Sequence, residues 1–192
     1  MLHIVVPESR ISEGDYPVPV VGHTAEYPLV FYSGRVDDDD RLSNDLRVVV
    51  EPLGEGNPRQ GLNYDESPRG APTYMMNIHG DGFTALYTEI NLIHDAVRIC
   101  GQLWAANLGT VSPNVIVTSG VVRRAQIITR TSYPGSDGEY RSYGTVELSK
   151  LTVRNPAWHR GLIVRQGHPP RRPTHGPWTR DAGVLVDLEP IS

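Results

Sequence analysis

Gly120-Val121-Val122-Arg123-Arg124-Ala125-Gln126-Ile127-Ile128-Thr129-Arg130-Thr131-Ser132-Tyr133, then Pro134-Gly135-Ser136-Asp137-Gly138, then Glu139 to Leu151, is the stretch that decides the fold. Two arms rich in β-formers flank a Gly/Asp turn. In the first arm Val121, Ala125 and Ile127 fall on one side of a pleat and Arg124, Gln126 and Arg130 on the other. In the second, Tyr140, Val146 and Leu148 alternate with Arg141, Thr145, Glu147 and Ser149. This pattern predicts a long hairpin with one buried and one wet face. The five turn residues Pro134 to Gly138 supply the positive-φ positions that a hairpin loop of this length needs. Arms this long exceed the ordinary strand, so the hairpin either projects beyond one core or pairs with a neighbour.

Working outward, the C-terminal run Gly183 to Glu189 predicts another strand. Asp45 to Leu53 and Thr73 to Ile78 predict further ones. Leu2 to Val6, Val18 to Val21 and Leu29 to Tyr32 are short apolar pieces cut by prolines and a glycine, read as edge strands or an extended arm. His79-Gly80-Asp81-Gly82 predicts a tight turn. From Thr88 to Asn107 the apolar residues Ile93, Ala96, Val97, Cys100, Leu103 and Trp104 recur at three- and four-residue steps, which predicts one helix. Thr88 would be its N-cap, and Ile93, Val97, Cys100 and Trp104 its packing face. The expected fold class is therefore mainly β with one packed α-helix, a sandwich or barrel with a long hairpin. The expected organisation is a β domain over 1–153, followed by a proline-rich arm and a C-terminal strand over 154–192. Asn155 to Arg180, with five prolines, is expected to lack regular structure.

Composition narrows the function. The hydrophobic fraction of 39% is low for a packed globule, and 19 Gly with 16 Pro put much of the chain in turns and loops. A net charge of −4 argues against a broad basic face that grips nucleic acid. The run Asp37-Asp38-Asp39-Asp40 reads as a solvated loop and lacks the spacing of a calcium loop. Cys100 is the only cysteine, which excludes an intrachain disulfide or a thiolate cluster, and it reads as a small buried residue. The first residues carry no basic segment followed by a long apolar run, and no window approaches the roughly eighteen apolar residues of a spanning helix, so no leader and no membrane partner are expected.

The chemistry-bearing residues are sparse. His79, Asp81, His94 and Asp95 are the one cluster with metal-ligating side chains close in sequence, but His94 and Asp95 would point about 100° apart on a helix. His159, His168 and His175 match no zinc spacing. No nucleophile elbow, phosphate loop or dinucleotide fingerprint occurs. The expectation is no catalytic residue, no metal and no cofactor. Arg123 and Arg124, placed on opposite faces by strict alternation, are expected to pair with carboxylates of a neighbouring subunit.

The predicted helix Thr88 to Asn107, then Pro113-Asn114-Val115-Ile116-Val117, Gly120-Val121-Val122, the turn at Asp137-Gly138 and the return through Thr145-Val146-Glu147-Leu148 resemble the tube-like proteins of tailed bacteriophages and contractile injection systems. The hub or adaptor proteins at the lower end of the tube are the nearest in pattern. The resemblance covers about a third of the chain. It implies a non-enzymatic structural subunit of a phage tail, in the tube or at the baseplate hub. Such a subunit forms a hexameric ring with copies of itself, joined to adjacent tail proteins, around a channel through which DNA passes without specific binding. It would be made in the host cytoplasm and reside in the virion. The subunit interface would be carried by Val121, Arg123, Arg124, Ala125, Ile127, Asp137, Gly138, Val146 and Leu148. Two alternatives remain at this point: a head-tail connector or tail terminator ring, and, in another class, a small metal-dependent enzyme or ligand-binding β-barrel using His79, Asp81 and His94.

Overall fold

The chain is built from strands. The computed structural model describes residues 1–33, 39–57, 72–107, 116–135, 140, 145–151 and 175–191. In chain order the described strands are β1 (Leu2–Pro7), β2 (Thr24–Ser33), β3 (Asn44–Pro52), β4 (Tyr74–Gly80), β5 (Phe83–Glu89), β6 (Asp95–Ala105), β7 (Val117–Ser132), β8 (Thr145–Lys150) and β9 (Trp178–Pro190). One short helix, α1 (Glu8–Ser12), follows β1. The order β2-β5-β4-β3-β6-β1-β9-β7 closes through a β2–β7 pairing into an eight-stranded barrel, and β8 is added outside the closure on β7. β2 pairs with three strands: β7 along Thr24 to Pro28, β6 along Leu29 to Ser33, and β5 along Leu29 to Phe31.

Alternation explains the core. Ile4, Leu29, Met76, Ile78, Leu103, Val184, Val186 and Leu188 point inward and are fully shielded. α1 adds Ile11 to the same core, and Tyr16 packs edge-on against Tyr27 just beyond it. Fully burying side chains of this kind contributes roughly 1.5–3 kcal/mol each relative to exposure.

The predicted helix over Thr88 to Asn107 is not formed. Its residues belong to the end of β5, a connection, and β6. The same apolar residues carry a period of two: Val97, Ile99, Gly101, Leu103 and Ala105 are half-buried or buried, whereas Ala96, Arg98 and Cys100 are exposed. Pairing with β3, β2 and β1 gives this run more buried contact than a lone helix would. Gly101 fits the strand and not a helix interior, because a Cβ there would lie 2.1 Å from the carbonyl oxygen of Tyr32 in β2. The expected packing face is accordingly redistributed. Ile93 lies in the connection and Val97 packs against the core, while Cys100 is exposed and Trp104 sits on the outer surface against Tyr32.

The predicted hairpin is present as β7 and β8, antiparallel from Gln126↔Lys150 to Thr131↔Thr145. Val146 and Leu148 are half-buried while Thr145, Glu147 and Ser149 are exposed, as the alternation requires. Asp137 and Gly138 lie outside the described residues. The predicted C-terminal strand is β9, longer than expected because it begins at Trp178, inside the segment expected to lack regular structure. The remainder of that segment up to residue 174 lies outside the described residues. Val18 to Val21 forms no strand, and Asp81 and Gly82 make the predicted tight turn between β4 and β5.

Candidate assembly face

The outer face of β1, β9, β7 and β8 carries the residues on which the functional reading turns. β7, at sixteen residues, holds three neighbours: β9 along one edge, and β2 and then β8 along the other. Its register against β9 slips between Val122↔Leu188 and Arg124↔Asp187, leaving Arg123 as an extra residue on β7. A second slip between Ile128↔Gly183 and Thr129↔Asp181 places the extra residue, Ala182, on β9. The first bulge reverses the expected facing. Val122 points into the core and Val121 is only half-buried, whereas Ala125 and Ile127, beyond the bulge, are buried as expected.

The same bulge turns both arginines to solvent, where they pair within the chain. Arg123 donates from Nε to Glu189 at 2.6 Å, and Arg124 donates from Nε to Asp187 at 2.6 Å. The expected carboxylate partners are therefore real in kind, but they belong to β9 of the same chain. Sequence reasoning missed Asp187 and Glu189. Their alternation with Val186 and Leu188 in the last strand was the available signal.

Below these pairs lies a second apolar cluster, separate from the barrel core. Val5, Leu42, Ile128 and Leu185 are buried there, with Trp104, Val146, Leu148 and Ala182 packed around them. The lid is a 3-10 turn at Asp40–Leu42. Asp39 caps the turn by accepting from the backbone N–H of Arg41, and the Arg41 side chain donates both to Asp39 and to the carbonyl of Val146 at 2.8 Å. The Arg41 hydrogen bond holds the Asp39 carboxyl below its ordinary range. Asp39 of the acidic run thus has a structural duty: through Arg41 it anchors the lid onto the hairpin. Asp37 and Asp38 lie outside the described residues. On the inner edge of the cluster, Asn44 exchanges two hydrogen bonds with the backbone of His3, at 2.8 and 2.7 Å.

β8 contributes its half-buried face to this cluster and one edge to β7. Among the described residues no strand pairs with its other edge, and of the backbone groups over Thr145–Lys150 the Val146 carbonyl accepts from Arg41.

The alternative catalytic cluster is dispersed. His79 Nε2 lies 3.1 Å from Glu51, and Nδ1 lies 3.1 Å from the Thr84 hydroxyl. Asp81 is exposed in the β4–β5 turn, and His94 is exposed ahead of β6. Among the described residues no three of the His, Cys, Asp and Glu side chains gather as a metal ligand set. An open cleft of about 370 Å³ beside His79 is bounded by Phe83, Thr118, Ile116, Val117 and Ile191. Among the described residues no helix is long and apolar enough to cross a bilayer. Set against known protein families, curated proteins and solved structures, the chain finds no match.

Proposed function

We propose that this chain is a structural subunit of a bacteriophage tail, in the tube or at the baseplate hub, that builds a ring with copies of itself around a channel for DNA. The observation that carries the reading is β8. A closed barrel uses up its strand edges, and this chain adds a ninth strand outside the closure, whose second edge has no partner strand among the described residues. A neighbouring copy can continue the sheet there with backbone hydrogen bonds, and a head-to-tail repeat of that contact closes a ring. The β7–β8 hairpin is held firmly enough for the task, because β7 is paired along both edges and the Asp40–Leu42 lid clamps β8 through Arg41. The net charge of −4 fits a conduit that does not retain a polyanion.

The test is light scattering after size exclusion, with negative-stain microscopy of the same fractions. Rings of a single symmetry are expected at assembly concentrations. A stable monomer under those conditions, with no ring of this chain in native particles, overturns the reading.

A further inference from the structure

The edge of β8 that has no partner strand among the described residues can be read group by group. The Leu151 N–H donates to the carbonyl of Ala125 at 3.1 Å, and Leu151 continues the β7–β8 register by one position. In an antiparallel ladder, residues bonded to the neighbouring strand alternate with residues turned away from it. By that alternation Thr145, Glu147 and Ser149 turn toward β7 as Leu151 does, whereas Val146, Leu148 and Lys150 aim their backbone N–H and C=O groups away from β7. These outward groups are the ones with which a further strand would pair.

The first of the three outward carbonyls is already taken. Arg41 donates from Nη2 to the Val146 carbonyl at 2.8 Å. Asp39 holds the guanidinium there, accepting from Nε at 2.8 Å and from Nη2 at 2.5 Å. The backbone that carries Arg41 is fixed, because Leu42 is fully buried in the second cluster and Asp39 caps the turn. The Arg41 side chain itself is 56% exposed, so it can swing clear while the lid stays seated. β8 stays in place as well, through its pairing with β7 and the packing of Val146 and Leu148 on the second cluster.

We propose that Arg41 is an autoinhibitory gate on the β8 edge: in the free subunit its guanidinium covers the Val146 carbonyl, and it must leave before a second copy extends the sheet along Val146, Leu148 and Lys150. This rests on the ring reading above and adds its control. An incoming strand aims an N–H at the Val146 carbonyl and meets a cation that has donors only. That N–H is then buried at the interface without an acceptor, which is costly for a backbone group. Charge placed at a sheet edge is a general device against unplanned pairing. Here the charge comes from a distant turn and is latched by an ion pair, so removing the latch opens the edge.

Sedimentation velocity over a concentration series tests the gate on the full chain. Arg41→Ala removes the guanidinium, and Asp39→Asn releases it while keeping a residue that caps the turn. Arg41→Ala is expected to tighten self-association by roughly three- to tenfold, the net worth of one exposed hydrogen bond, and Asp39→Asn by less. Lys150→Pro removes an outward N–H and no bond to β7, so adding it to either variant should cancel the gain. If Arg41→Ala fails to fold, Asp39→Asn carries the test alone. Association equal to or weaker than that of the unaltered chain overturns the proposal, and so does a gain that survives Lys150→Pro. Negative-stain images of the same fractions separate the gate from the ring. A gain that Lys150→Pro cancels, seen in oligomers other than rings, upholds the gate and refutes the ring, whereas rings whose formation is indifferent to Arg41→Ala uphold the ring and refute the gate.

Discussion

Arg124 is the single hydrogen-bonding partner, among the described residues, of the buried Asp187 carboxylate. The Asp187 side chain is 10% exposed and that of Arg124 is 55% exposed, so the pair is half in water on one side only. One residue earlier, Arg123 and Glu189 are each about half exposed.

The two neighbours should therefore behave differently when truncated. Arg124→Ala strands a buried carboxylate and should cost about 2–3 kcal/mol. Arg123→Ala removes an exposed pair and should cost less than about 1 kcal/mol. Urea unfolding of both variants checks the difference, and equal midpoints would refute the claim that burial separates them.

Gly101→Ala separates strand from helix by sign. In a helix interior the change would stabilise by about 1 kcal/mol. In β6 the added Cβ meets a backbone oxygen of β2, which cannot rotate away, so destabilisation of about 1–3 kcal/mol is expected. A variant with a raised melting temperature would remove the β2–β6 crossing from the fold.

Tyr16 should give the barrel an alkaline limit. Burial first, then the nearby Asp15 charge, pushes its phenol up to about 12 from 10.0, and its hydroxyl donates to the carbonyl of Ala106. The folded state holds this proton more tightly than the unfolded chain does. The resulting stability is complete below about pH 10 and is lost as the pH rises toward 12. Tyr16→Phe should lose about 1 kcal/mol at pH 8 and show a shallower decline between pH 10 and 12. Denaturant midpoints across that range measure both, and parallel curves for the two proteins would contradict the assignment.

The hairpin, the C-terminal strand and the tight turn at Asp81 and Gly82 were legible because each has local causes: alternation in the arms, and glycine where the chain reverses. β6 was misread because Ile93, Val97, Cys100 and Trp104 satisfy a helical stripe as well as Val97, Ile99, Leu103 and Ala105 satisfy a pleat, and only the neighbouring strands decide between them. Asp95 hid the start of β6, since it takes φ 69 with no glycine to mark it. The facing of Val121 and Val122 depended on a one-residue bulge, which shifts the inward positions before it relative to those after it without a local signature. The outer face of β7, β8 and β9 was half legible. Val146 and Leu148 were in the pattern, but the Leu42 lid and the Asp187 and Glu189 partners come from distant segments.

β1 is clasped between β6 and β9, and six of its residues find partners in β9, from Leu2↔Leu188 to Pro7↔Gly183. β1 is thus completed by a strand that emerges from the ribosome about 180 residues after it. Until then Leu2, Ile4, Val5 and Val6 have no sheet on that side to cover them. Barrel closure therefore waits for the synthesis of β9, and a chain halted before it would expose an unpaired apolar strand to chaperones or to other nascent chains.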